Sequence, residues 1–489
     1  MRDKVSLLSF AAMTSSHDVV ALRESHSWLR AIGLSVAISM CIAVDILQYS
    51  FPLSFLPRSL EDEGHSSRHI AAVIGGYYWS GFAGGVLLTV WQIYKIFVVK
   101  ASPLTLDQVK MQIVGLIVGL LVGAGTLLKQ ANDDSYTVHM VCRVIQGFLG
   151  AILFFYSYLL SIELFTGKQQ IFALTLNTIS LNVAEVGGPL LGATVFTVSG
   201  KSSSFYFLTA ISFVNQVVLL AALAWIHAFA SAGHETDTLI QEEMDTYVHF
   251  SRQRRFRDGL ERLVDVISSP LLWKSLAVIA PSALIKAEIE NILPLFADHS
   301  MGYNTMHIGY SFSAVAVAFV ISSISIGLSW DSLSHRWRDL IVGSSLVFLC
   351  IFSTSILPLT KITQNETVFM LSLGVYGVFL GLTITPSSFL LGEFVDSLKD
   401  SQSKDVANGI WNTLWEMGGS VGFFISGIPR SNDWKAEELV ISSSSLTLLV
   451  ACVGFFLICE IIRFDKNHLP IIKAAIEDGI EDKSINVRE

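Results

Sequence analysis

Apolar residues along this chain come in runs of about 20, each bounded by charged or turn-forming residues, and the runs do not alternate polar with apolar. That length and pattern predict membrane-crossing helices rather than the shorter, alternating strands of a membrane barrel. Twelve spans are expected. The first six lie near 31–57, 69–90, 109–129, 136–161, 170–198 and 204–229; the second six lie near 271–297, 306–329, 337–358, 367–392, 406–428 and 438–462. The residues before the first span are polar and of mixed charge, without an apolar run and small-residue cleavage site, so a cleaved signal peptide is not expected.

Composition agrees. Of 489 residues, 52% are apolar and only 15% charged, with a mean hydropathy of +0.56, too little charge to clothe a soluble surface. A soluble enzyme is excluded, and no nucleophile, base and orienting group stand at recognisable spacing. The net charge of −9 gives no basic footprint for nucleic acid. The five cysteines all fall in apolar stretches without ligand spacing, so neither a disulfide framework nor a metal site is expected, and no cofactor.

The expected organisation is a tail over 1–30, a six-helix bundle over 31–230, a linker over 231–270, a second bundle over 271–462 and a tail over 463–489. The large majority of the 32 Lys and Arg fall on the side of both termini, which places the termini in the cytosol. Asn365, in Asn365-Glu366-Thr367, then faces outward as a candidate glycosylation acceptor. Within the linker, Phe256, Leu260, Leu263, Val264 and Ile267 recur at helical spacing among arginines, the pattern of a helix lying on an anionic leaflet or of a solvated basic segment.

The two halves repeat one another. Gly64-x-x-x-x-His69-Ile70 returns as Gly302-x-x-x-x-His307-Ile308; Gly147 and Glu163 return as Gly377 and Glu393; Asn177, Glu185, Gly187 and Gly188 return as Asn408, Glu416, Gly418 and Gly419. Three groups in register across equivalent helices indicate a six-plus-six duplication, with a binding site expected between the repeats near the midplane. These features resemble the major facilitator superfamily. Arg143-x-x-Gln146-Gly147 resembles its Arg-x-x-Gln-Gly motif, and Gly187-Gly188-Pro189-x-x-Gly192 resembles the motif of its proton-coupled antiporters. Gly327-x-x-x-Asp331 with Arg336 and Arg338 resembles its inner-loop latch, for which Glu393 is a reasonable partner; the first-half loop from Gly85 to Lys100 lacks the Asp and the arginine pair. The resemblance implies an all-α membrane fold of twelve helices in two pseudo-symmetric bundles, alternating access, and function as a monomer.

A charge near the centre of a span costs about 2.5 to 3.5 kcal/mol if it faces lipid, so such residues face a cavity or a partner. Here they are Asp45, Arg143, Glu185, Lys286, Glu288, Glu290 and Glu416. Helical spacing puts Asp45, Gln48, Tyr49 and Pro52 on one stripe, sets Lys286 one turn from Glu290, leaves Glu288 nearer Asn291, and aligns Asn408, Asn412, Trp415 and Glu416. Five acids against two bases leave a balance of −3, which suits a cationic substrate and exchangeable protons. Carboxyl groups removed from water tend to hold protons and a nearby cation reverses this, so movement of Arg143 relative to an acid is one way to couple the two. Asp45, the acids of the seventh span and Glu416 resemble those of the vesicular amine and polyamine transporters in the drug:proton antiporter group, which implies exchange of protons for an organic cation. A uniporter or proton symporter of neutral or anionic metabolites, and a non-transporting receptor, are the alternatives. Asp3-x-x-x-Leu7-Leu8 resembles an acidic dileucine signal for endosomal or lysosomal sorting; the plasma membrane stays open.

Overall fold

The computed structural model describes residues 28–98, 106–165, 167–233, 252–398 and 401–426. The twelfth span, both tails with the dileucine-like segment, and residues 234–251 of the linker lie outside them. Among the described residues every regular element is helical: α1 Trp28–Ser50, α2 Leu56–Asp62, α3 Ser67–Val98, α4 Leu106–Asn132, α5 Tyr136–Leu164, α6 Gly167–Gly233, α7 Arg252–Ile267, α8 Pro270–Met301, α9 Thr305–Ser329, α10 His335–Thr363, α11 Glu366–Ser397 and α12 Ser401–Ser426. Pro52 opens the short 3-10 turn Phe51–Ser54 that follows α1. α6 holds the fifth and sixth spans, which meet at Gly200, whose φ of 81° breaks the helical course.

Among the described residues eight helical stretches are long and apolar enough to cross a membrane, and nine if the pair Gly259–Ile267 and Pro270–Met301, bent by 55°, is one span. One of the eight, Phe172–Ile226, has the length of two. α12 is too polar to qualify by composition, yet its Asn408, Asn412 and Glu416 are all buried against other helices. Large apolar side chains such as Leu87, Val217, Ile321 and Leu328 point outward, while Asp45, Arg143, Lys286 and Glu290 are enclosed. This is the arrangement a lipid solvent selects.

The duplication reappears as backbone contact. A Cβ on Gly147 of α5 would strike the Tyr77 carbonyl of α3, and one on Gly377 of α11 would strike the Val315 carbonyl of α9. Tyr77 and Val315 stand 238 apart (315 − 77), as do Gly64 and Gly302 (302 − 64), which both take positive φ, 86° and 64°. Gly188 and Gly192 of α6 press on Ser50 and Phe51, while Gly418 and Gly422 of α12 press on Ala280 and Leu284 of α8. Small residues at these crossings let whole helix backbones meet, the usual basis of helix packing in lipid. The halves join chiefly where α3 runs along α12 and α6 along α9. The linker helix α7 folds back on the C-terminal end of α3, with Gly259 against Ile96 and Phe97.

Candidate functional site

At the junction of the halves, five helices bring ionisable and aromatic groups together. α8 contributes Lys286, whose ammonium is paired with Glu185 of α6 and lies 2.9 Å from Glu290, one turn along its own helix. It also donates to the Tyr78 hydroxyl of α3 at 3.2 Å. The rings of Tyr49 (α1), Tyr78 and Trp415 (α12) surround it, with centroids 5.6, 5.9 and 5.6 Å from Nζ. Tyr49 donates to Glu290 Oε2 at 2.5 Å, so both halves hold the same carboxylate. Only 3% of the Lys286 surface is exposed. Helical spacing alone aligned Lys286 with Glu290; the pairing with Glu185, 101 positions away (286 − 185), comes from the tertiary fold.

A second acidic group adjoins the first. Asp45 of α1 accepts a hydrogen bond from the Tyr77 hydroxyl, and both pack over Gly150 of α5. Glu416 of α12 sits against Gly81 of α3, its Oε2 buried without a hydrogen-bond partner. Asp45 and Lys286 lie within electrostatic range of Glu416. Among the described residues neither Asp45 nor Glu416 has a base in ion-pair contact.

Among the described residues Arg143 meets no acid. Its Nη1 donates to the Gln48 carbonyl at 2.6 Å and to Gln146 Oε1 at 3.3 Å, while Nε and Nη2 are buried without partners. Gln146 donates onward to Thr126 and Gln130, and the Gln130 amide lies 3.3 Å from His139 Nδ1. Glu288 is buried on another face of α8, within electrostatic range of Tyr376. Asn291 donates to Ser426 at 2.8 Å, and both amide atoms of Asn412 are buried without partners. Of the antiporter-like motif, Gly188 and Gly192 seat α6 on the end of α1, Pro189 lies inside α6, and Gly187 faces open space.

The latch-like residues pair within the second half. Arg338 Nη1 donates to Glu393 Oε1 at 2.7 Å, Trp330 donates to the same oxygen at 3.0 Å, and the guanidinium covers the Trp330 ring. Arg336 is exposed, Gly327 approaches Phe389, and the Asp331 side chain lies outside the described residues. In the first half Gln112 donates to Glu163 at 3.3 Å. Asn365 is exposed and caps α11, accepting from the Thr367 and Val368 amides.

Sequence reasoning missed four groups. Tyr77 and Tyr78 look like core aromatics in an apolar run, and only the doubled tyrosine hints at more. Thr126, Gln130 and His139 join the Gln146 network from separate turns. At the end assigned to the outside, Arg58 of α2 pairs with Asp298 of α8 at 3.2 Å, and Glu61 lies 3.2 Å from His299, an ion pair when the imidazole is protonated. Ligand atoms of Glu61, Asp298 and His299 lie within 4.8 Å of one another, and Arg58 supplies the counter-charge, so this cluster reads as a clasp between halves rather than a metal centre. Nearby, hydrogen bonds from Lys129 and Ser135 hold the Asp133 carboxyl down to about 2.

Comparison with known proteins follows this geometry. A family model described as Major Facilitator Superfamily matches residues 34–423. A solved structure described as a bacterial homologue of the human lysosomal transporter Spinster, inward-facing and unoccupied, is similar at a TM-score of 0.61 and 9% identity. The match covers 89% of this chain and 98% of that one. At that identity the likeness shows the fold. No curated protein matches the sequence.

Proposed function

The chain belongs to the major facilitator superfamily, and from that premise we propose that it is a secondary transporter working by alternating access, exchanging protons for small organic cations. The observation that carries the reading is the Lys286 cage. An ammonium group rests between carboxylates supplied by both halves and is ringed by Tyr49, Tyr78 and Trp415. Aromatic faces and carboxylates are the groups that recognise organic cations. Their place at the junction means that binding there bears on how the halves pack, which is what alternating access needs.

Asp45 and Glu416 support the proton side of the exchange. They are buried beside the cage with no base in ion-pair contact among the described residues, and burial without a counter-charge favours the neutral acid. Arg143, with two unmatched donors, is the cation available to an acid after a rearrangement. An anionic substrate would have to take Lys286 from two carboxylates at once, which makes anion symport the weaker reading. A retired receptor would have no reason to keep seven ionisable groups in its spans.

The dileucine-like hexamer and the lysosomal transporter named in the structural match support an endosomal or lysosomal membrane with both termini cytosolic. Proteoliposomes assayed with radiolabelled amines, polyamines, sugars and organic anions, each with and without a pH gradient, test the proposal. Amine uptake that rises with an opposed proton gradient is the expected result. Flux of sugars or anions alone, or amine flux indifferent to the gradient, refutes it.

A further inference from the structure

Lys286 has three N–H donors and the cage offers three oxygen acceptors, on Glu185, Glu290 and Tyr78, besides three ring faces. A site built this way fits a primary alkylammonium, and the protein's own lysine already fills it. Beside it, Glu416 holds a buried, unpartnered Oε2, and Trp415, its neighbour in sequence, lies under the same ammonium. The lysine stem has four flexible carbons.

We propose that Lys286 is a tethered stand-in for the transported cation: an incoming primary ammonium takes its place between Glu185 and Glu290, Lys286 swings to Glu416, and the proton of Glu416 leaves. The inference rests on the organic-cation reading above and adds the substrate class and the coupling step. The step balances. At the start Lys286 is positive, Glu185 and Glu290 negative and Glu416 a neutral acid. At the end the substrate neutralises one carboxylate of the cage, Lys286 faces an ionised Glu416, and the O–H bond of Glu416 has broken with its proton released to water. One cation enters for each proton lost, so the net charge enclosed in the protein does not change, and each newly charged group, the substrate ammonium and the Glu416 carboxylate, meets an opposite charge.

The other groups facing Glu416 are consistent with this route. Asp45 of α1 and Tyr77 and Tyr78 of α3 are within electrostatic range of it, and Lys286 of α8 is the one base among them. Arg143 of α5 is turned to the Gln48 carbonyl. Tyr376 of α11 is within electrostatic range of both Lys286 and Glu288 of α8.

The test uses n-butylammonium, the free counterpart of the lysine side chain, titrated into purified full-length protein in weak buffer with a pH indicator. Wild type is expected to release about one proton per ammonium bound; Glu416→Gln should release none and bind at least about ten-fold more weakly, because the displaced lysine then meets no carboxylate. Lys286→Met removes the competitor, so binding should tighten about ten-fold, as expected if the lysine fills the cage about nine-tenths of the time, and release should vanish. Should that variant fail to fold, Lys286→Gln, which removes the charge but keeps a polar side chain and both carboxylates of the cage, replaces it. Butyltrimethylammonium, which has no N–H donor, should bind wild type at least about ten-fold more weakly than n-butylammonium. If wild type exchanges n-butylammonium for protons but Glu416→Gln still releases a proton, or the Lys286 variants bind no more tightly, this inference fails and the transport reading stands. A wild type that neither binds nor transports any ammonium overturns both.

Discussion

The two halves carry the same scaffold and different charges. Gly147 on Tyr77 and Gly377 on Val315 are the same contact made twice. At the C-terminal ends of α5 and α11 the symmetry stops: Arg338 and Trp330 hold Glu393, while Gln112 donates to Glu163. It stops again at the centre, where Glu185 of the first half pairs with Lys286 of the second, while Glu416, the counterpart of Glu185, has no base in ion-pair contact among the described residues. Packing is a property of each bundle and survives duplication unchanged. Ionic contacts that join the bundles must be complementary instead, because two identical charges facing one another would repel.

The hardest test of this contrast is to break the shared part. Gly147→Val and Gly377→Val each drive a side chain into a neighbouring carbonyl, and overpacking of this kind costs about 1 to 3 kcal/mol or more. Both should lose folded protein in detergent, by similar amounts, in fluorescence-detected size exclusion. A variant tolerated in one half but not the other would deny that the contacts are equivalent. Glu185→Gln comes next, since it removes one partner of a buried ion pair between halves, a loss of about 3 to 5 kcal/mol when the other charge is left unmatched. Glu290 still pairs with Lys286, so the loss in Tm should fall toward the lower end, with amine exchange abolished.

Smaller effects sharpen the comparison at the C-terminal ends of α5 and α11. Arg338→Gln removes the charged partner of Glu393. The pair is partly exposed, so the change should cost about 1 kcal/mol and alter transport a few-fold, visible as changed labelling of a cysteine introduced at the inner face. Gln112→Arg, the reverse exchange, should have the opposite effect on labelling. The smallest effect belongs to Asn365. Thr367→Ala destroys the acceptor tripeptide but keeps the cap on α11, so glycosidase-sensitive mobility should vanish with Tm unchanged, while Asn365→Ala should also cost about 1 kcal/mol through the lost cap.

Much of the fold was legible because lipid imposes a length and an apolar character that a linear sequence displays directly, and because a duplication leaves glycines in register. Lys286 and Glu290 were legible for a local reason, a shared helix face one turn apart. Tyr78 was not, since a tyrosine in an apolar run reads the same whether it touches leucine or an ammonium. Nor was the resting place of Arg143, whose partner is a backbone carbonyl on another helix. The position of Glu185 against Lys286, and the clasp of Arg58 on Asp298, join residues from different halves.

What the sequence determined by itself was the material: helices long enough to cross a bilayer, two related bundles, and charges too costly to leave facing lipid. Which charge met which was decided only by the tertiary structure. Helical periodicity fixes the face on which a residue lies, whereas the partner depends on how two bundles rotate and settle against each other, and no local pattern encodes that.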